Sequence, residues 1–119
     1  MSDPKATLFA NNKQKKKVYT ITFREDTAKV IVFAMELKRK KRYVFKTYDK
    51  YGKKTERIKV DIKTVRREPL FENVIDGKVQ EQIEFCPTEK NLFFMEVRLL
   101  APKKPYCTCA YVIMFIEDK

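Results

Sequence analysis

Histidine is absent from the chain, glycine occurs only twice and cysteine three times. Without an imidazole, general acid–base chemistry near neutral pH loses its usual side chain. With two glycines, both isolated, there is no glycine-rich phosphate loop and no glycine-flanked nucleophile. Cys86, before Pro87, lacks the base that a nucleophile needs. The carboxylates are scattered among lysines, so the expectation is a protein that is not an enzyme. Structural zinc wants four Cys or His ligands, which Cys86, Cys107 and Cys109 cannot supply, so no metal and no cofactor are expected. An odd cysteine set is unlike the even framework of a small secreted domain, and Cys107 and Cys109, two apart on one strand face, are badly spaced for a mutual disulfide. Reduced thiols follow, and with them a cytoplasmic location. Long apolar runs are missing too: none approaches the roughly 18 residues of a membrane span. Met1 to Thr20 is rich in lysine where a signal peptide needs an apolar stretch.

What the chain has is charge and β-branched or aromatic bulk. The 119 residues fit one domain, and 44% hydrophobic content gives it a core to bury. The net charge is +11, concentrated in Met1 to Glu68. Such a field draws nucleic acid, acidic lipid surfaces or acidic proteins and speeds encounter more than it selects a partner. A solvated lysine surface accounts for the same count.

Residues 1–17 mix Asp, Pro, Asn, Gln and lysine without periodicity and end in Lys15, Lys16 and Lys17, which reads as a flexible basic arm. Residues 18–119 read as one domain. Val18 to Phe23 alternates at period two, Lys29 to Met35 is an apolar run of strand length, and Tyr43 to Tyr48 repeats the pattern after the basic turn Lys38, Arg39, Lys40, Lys41, Arg42. Asp49 to Gly52 supplies a reversal. Ile58, Val60 and Ile62 then alternate with Lys59, Asp61 and Lys63, giving one apolar and one charged face. Beyond Pro69, Asp76-Gly77 is a hairpin dipeptide, followed by a strand over Val79 to Phe85 that Pro87 closes. Leu92 to Leu100 presents Phe93, Met95, Val97 and Leu99 on one face as a central core strand, and Tyr106 to Ile116 is apolar on both faces over Val112 to Phe115. About seven to nine strands at this spacing, without a helix, predict an all-β immunoglobulin-like sandwich.

The order Arg42 to Gly52, Ile58 to Ile62, Asp76-Gly77, then Ile83 to Val97 resembles the filamin-type immunoglobulin-like repeat over roughly Thr27 to Asp118. Asn91 stands where that family turns at a glycine, a position where asparagine reaches the left-handed region more easily than most residues. The resemblance implies a structural or docking module, as in actin-crosslinking and signalling proteins, that takes up partner peptides by strand addition. The docking edge would be Arg57, Ile58, Lys59, Val60, Asp61, Ile62 and Lys63, with pockets toward Phe71 and Val74. A plain core strand with a solvated outer face explains the same alternation.

A second expectation, from a different class, is a nucleic-acid-binding β protein with Lys15 to Lys17 and Lys38 to Arg42 on phosphates. Tyr43, Phe45, Tyr48 and Tyr51 would then form a stacking platform, although Tyr43 and Phe45 share one strand face and read equally as core. A third is an assembly subunit that uses its basic arm. The expected partner is therefore a protein, with nucleic acid as the alternative.

Overall fold

The computed structural model describes residues 15–24, 30–100 and 107–118. It is all-β, and no helix occurs among the described residues. Ten strands form in order: β1 Lys15–Arg24, β2 Val30–Leu37, β3 Lys41–Asp49, β4 Ile58–Thr64, β5 Pro69–Glu72, β6 Val74–Ile75, β7 Lys78–Val79, β8 Gln82–Phe85, β9 Asn91–Leu99 and β10 Cys107–Asp118. Two four-stranded antiparallel sheets, β1-β10-β3-β8 and β2-β9-β4-β5, face one another, and β6-β7 is a separate hairpin. The period-two alternation read from the sequence is what closes the sandwich. Tyr19, Ile21 and Phe23 of β1, Phe45 of β3, Met95 and Val97 of β9, and Val112 and Met114 of β10 all turn inward into one core.

Ring contacts fix how the sheets stack. Tyr19 of β1 lies 4.9 Å from Phe33 of β2, and Phe71 of β5 lies 5.1 Å from Phe85 of β8. Edge strand therefore sits over edge strand: β1 over β2 on one side of the sandwich, β8 over β5 on the other. The expected central strand is confirmed, since β9 runs between β2 and β4 with Met95 and Val97 fully buried. β10 is apolar on both faces because its outward Ile113 is covered as completely as its inward Val112.

Two turns behave as their residues dictate. Asp76 and Gly77 both take positive φ, 51° and 76°, which matches the right-handed twist of the β6-β7 hairpin. Asp49 accepts the backbone N–H groups of Tyr51 and Lys53 on its carboxylate, each at 2.9 Å, and Gly52 adopts φ 80°.

Three expectations need correction. The basic arm does not extend to Lys17: Lys15, Lys16 and Lys17 belong to β1, opposite Ile116, Phe115 and Met114, while residues 1–14 lie outside those described. A lysine run can continue a strand because a long neighbour supplies the ladder, whatever the side chains' mutual repulsion. Asn91 opens β9 without a positive φ, its side-chain oxygen accepting the Leu92 N–H at 2.8 Å; the left-handed residue in this part of the fold is Lys40, at φ 63° in the β2–β3 turn. Third, the strand expected over Val79 to Phe85 breaks in two, because Val79 pairs with Val74 whereas Gln82 to Phe85 pair with β3. The expected strand starts at Lys29 and Tyr106 fall outside the described residues.

Candidate protein-docking side of the sandwich

The edge expected to take up a peptide is not an edge. β4 lies between β9 and β5, with Asp61 and Ile62 opposite Glu72 and Phe71. Where β5 ends, Asn73 takes over. Its Oδ1 accepts the Val60 N–H at 2.7 Å, its Nδ2 donates to the Ile58 carbonyl at 2.9 Å, and its own N–H donates to the Val60 carbonyl at 3.1 Å. A buried side-chain amide thus completes the ladder as a further strand residue would. Ile58, Val60 and Ile62 are core, Phe71 is part of the covering strand, Val74 sits in the β6 hairpin, and Arg57 is exposed just before β4. Among the described residues, β4 thus has neighbours on both sides.

On its outward face, β4 places Asp61 between Glu96 of β9 and Glu72 of β5. Like charges side by side repel. Lys59 lies 3.7 Å from Asp61 and 3.6 Å from Glu72, and Lys63 lies 2.9 Å from the buried Glu96. Burial still holds the Asp61 carboxyl above its ordinary value, with Glu72 adding to the rise and Lys59 opposing it. This is a self-neutralised structural network.

The opposite side of the sandwich is open. Four strands end the sheets, and three are guarded. β1 carries Lys15, Lys16, Lys17 and Arg24; β5 is four residues long and begins with proline; β8 is equally short. β2 has eight residues, Val-Ile-Val-Phe-Ala-Met-Glu-Leu, with neither lysine nor proline, and pairs on one side only among the described residues. In an antiparallel pair every second residue of an edge strand directs its N–H and C=O outward, so β2 offers an unused ladder. Val32 is 44% exposed, and on the neighbouring β9 Leu92, opposite Glu36, is exposed as well.

Beside this edge the two sheets part to form a cleft of about 280 Å³. Its construction follows from strand parity. Lys15 and Lys17 occupy the same inward phase as Tyr19, Ile21 and Phe23, and Lys41 the same phase as Tyr43 and Phe45. At the end of the sandwich that inward phase hangs over the core's rim. Lys15, Lys17, Lys38 and Lys41 therefore ring an apolar floor made by Met35 and Leu37 of β2 and Met114 and Ile116 of β10. Tyr19 and Tyr43 form its walls. The Tyr43 hydroxyl accepts the Lys38 N–H at 2.8 Å and so ties the basic turn to the core. Lys41 pairs with Asp118, and Glu36 with Lys90 at 2.9 Å, a pairing that holds the Glu36 carboxyl below its ordinary value.

The two basic segments, far apart in sequence, thus meet at one place, but not all their residues take part. Lys16 lies on the other face of β1. Arg42 is turned to the outer sheet face, where it donates to Glu117 at 2.7 Å and lies 3.8 Å from Glu84. Arg39 and Lys40 are exposed in the turn. Of the four rings expected as a stacking platform, Tyr43 and Phe45 are core, 3% and 2% exposed, and Tyr48 is half-buried, which leaves Tyr51, 67% exposed, as the one open ring among them. Tyr19, Met35, Leu37 and Asn73 carry no signal in the sequence beyond that of ordinary core or turn residues.

Neither a known protein family nor a curated relative matches the sequence. Among solved structures the chain is similar to the crystal structure of Aeromonas hydrophila PliG, a periplasmic lysozyme inhibitor of g-type lysozyme. The TM-score is 0.62 over 91% of each chain, at 10% identity. A likeness at that identity is one of fold. It overturns the cytoplasmic location expected above, since this neighbour is periplasmic. An odd cysteine count bears on disulfide pairing, which follows compartment only as a tendency.

Proposed function

We propose that the chain is a non-enzymatic binding module for an acidic protein partner, an extended segment of which adds to β2. The observation that carries this reading is the eight-residue edge of β2, unpaired on its outer side among the described residues, unguarded by lysine or proline and set beside the rim of Lys15, Lys17, Lys38 and Lys41. Backbone ladder bonds would supply affinity, and alternate side chains of the partner would meet the exposed Val32. The net charge of +11 selects a partner of opposite sign and speeds its arrival. Two further considerations support it. The similar Aeromonas hydrophila protein is an inhibitor of an enzyme and so meets a protein target, and the filamin-type pattern brings strand addition as a mode, moved from β4 to β2. The absence of histidine leaves catalysis without its usual base.

The test is an NMR titration of amide-labelled protein with two synthetic octapeptides, one alternating Glu and Val, the other Lys and Val. The reading expects shift changes along Val30 to Leu37 with the acidic peptide alone, weakening as salt is raised. Shifts centred on β5 or β8, equal binding of the basic peptide, or no binding of either would overturn it.

A further inference from the structure

The cleft at the β1–β2 end has its own chemistry, independent of the β2 ladder. Its floor is hydrocarbon and thioether, from Met35, Leu37, Met114 and Ile116, and its rim carries four lysines. One lining residue carries a group that no described residue satisfies: the Tyr19 hydroxyl is buried without a hydrogen-bond partner among the described residues, in a residue 5% exposed. A buried hydroxyl left unpaired is costly, and such groups call for an explanation in a native structure. A second phenol lines the cleft from β3, two strands away in the same sheet. Tyr43 uses an acceptor position for the Lys38 N–H and keeps its own proton to donate. Burial raises the Tyr19 pKa above the ordinary tyrosine value, so at neutral pH this phenol is a donor as well. Lys17 holds its ammonium 5.1 Å from the Tyr19 ring centroid, over the same wall.

We infer that this cleft binds a small amphipathic anion, a carboxylate on an unbranched apolar chain, with the chain on the Met35, Leu37, Met114 and Ile116 floor and the carboxylate among Lys15, Lys17, Lys38 and the Tyr19 hydroxyl. Size, charge and donors each narrow the ligand. The cleft, about 280 Å³ and open to solvent, covers a medium chain, whereas a long acyl chain would leave part of its length in water. The lysine rim refuses a cation. A phenol donor with no acceptor nearby asks for an acceptor atom at the chain's head. Lys41 is committed to Asp118, and Glu36, the one carboxylate lining the cleft among the described residues, is held by Lys90, so neither blocks the entry of an anion.

Sodium octanoate, kept below its micelle concentration, is the probe, with octanol, octylammonium and acetate as comparisons, read by isothermal titration calorimetry on the full chain. Octanoate should bind about tenfold tighter than octanol, the margin expected of a charge-assisted hydrogen bond. Octylammonium and acetate should give no saturable heat. Tyr19→Phe keeps the ring and the fold, confirmed by thermal melting, and should weaken octanoate about tenfold while leaving octanol unchanged. The double substitution Lys15→Gln with Lys17→Gln, at exposed positions, should reduce octanoate binding and its salt dependence together. Octanol binding as tightly as octanoate, indifference of octanoate to both Tyr19→Phe and the lysine pair, or no octanoate binding would overturn the assignment. The peptide titration on β2 reads different amides, so the two proposals succeed or fail separately.

Discussion

The two sides of the sandwich treat their unpaired groups in opposite ways. On the β4–β5 side Asn73 satisfies the Val60 N–H and the Ile58 and Val60 carbonyls beyond the end of β5, and the carboxylates on the outer face are interleaved with Lys59, Lys63 and Arg98. On the β1–β2 side, among the described residues, the outer ladder of β2 is unused, the lysines of the rim outnumber its carboxylates, and the Tyr19 hydroxyl is unsatisfied. A fold that spends a buried amide to seal one edge shows what sealing requires. The other side lacks it, and unsatisfied polar groups gathered beside an apolar floor mark where a ligand completes the structure.

Removing the seal is the strongest way to break this contrast. Asn73→Ala leaves the Val60 N–H and the Ile58 carbonyl buried without partners, and should lower unfolding stability by about 3 kcal/mol in urea titration. A loss under about 0.5 kcal/mol would mean that the side-chain amide does not close the edge. The reverse experiment belongs to the open side. Tyr19→Phe removes an unpaired hydroxyl without opening a cavity, and should raise stability by about 1 kcal/mol by calorimetry. Destabilisation would show that the phenol has a partner and would erase the difference between the sides.

The smallest effect is one of slope. Between the ordinary aspartate value of 3.8 and its raised value in the fold, native Asp61 keeps a proton that the unfolded chain has released. Stability from this group is therefore fully present below that window and falls as pH rises through it. Asp61→Asn should flatten the fall, read as thermal midpoints measured across the acid range for both proteins. An unchanged slope would place the burial cost elsewhere.

The strands were legible because their side chains alternate. Val18 to Phe23, Ile58 to Ile62 and Phe93 to Leu99 each place an apolar face at period two, and each is a strand with that face in the core. The turn at Asp76-Gly77 was equally plain, since two consecutive positive φ angles suit that dipeptide. The docking edge was misplaced for a definite reason. Ile58 to Lys63 has the alternation of a strand with one solvated face, and such a pattern is the same whether a strand is flanked by two neighbours or one. That Pro69–Glu72 and Asn73 fold back onto β4 is a long-range fact with no local signature.

By itself the sequence determined the all-β class, the inward phase of most strands and the basic character of the first half, because these rest on local sterics, period-two burial and counted charge. Tertiary structure alone decided which strands end the sheets, that Lys15, Lys17, Lys38 and Lys41 meet around one cleft, and that Tyr19 lacks a partner there. Neighbours across a sandwich are chosen by the packing of whole faces, and a pattern with a period of two residues cannot name a partner ninety residues away.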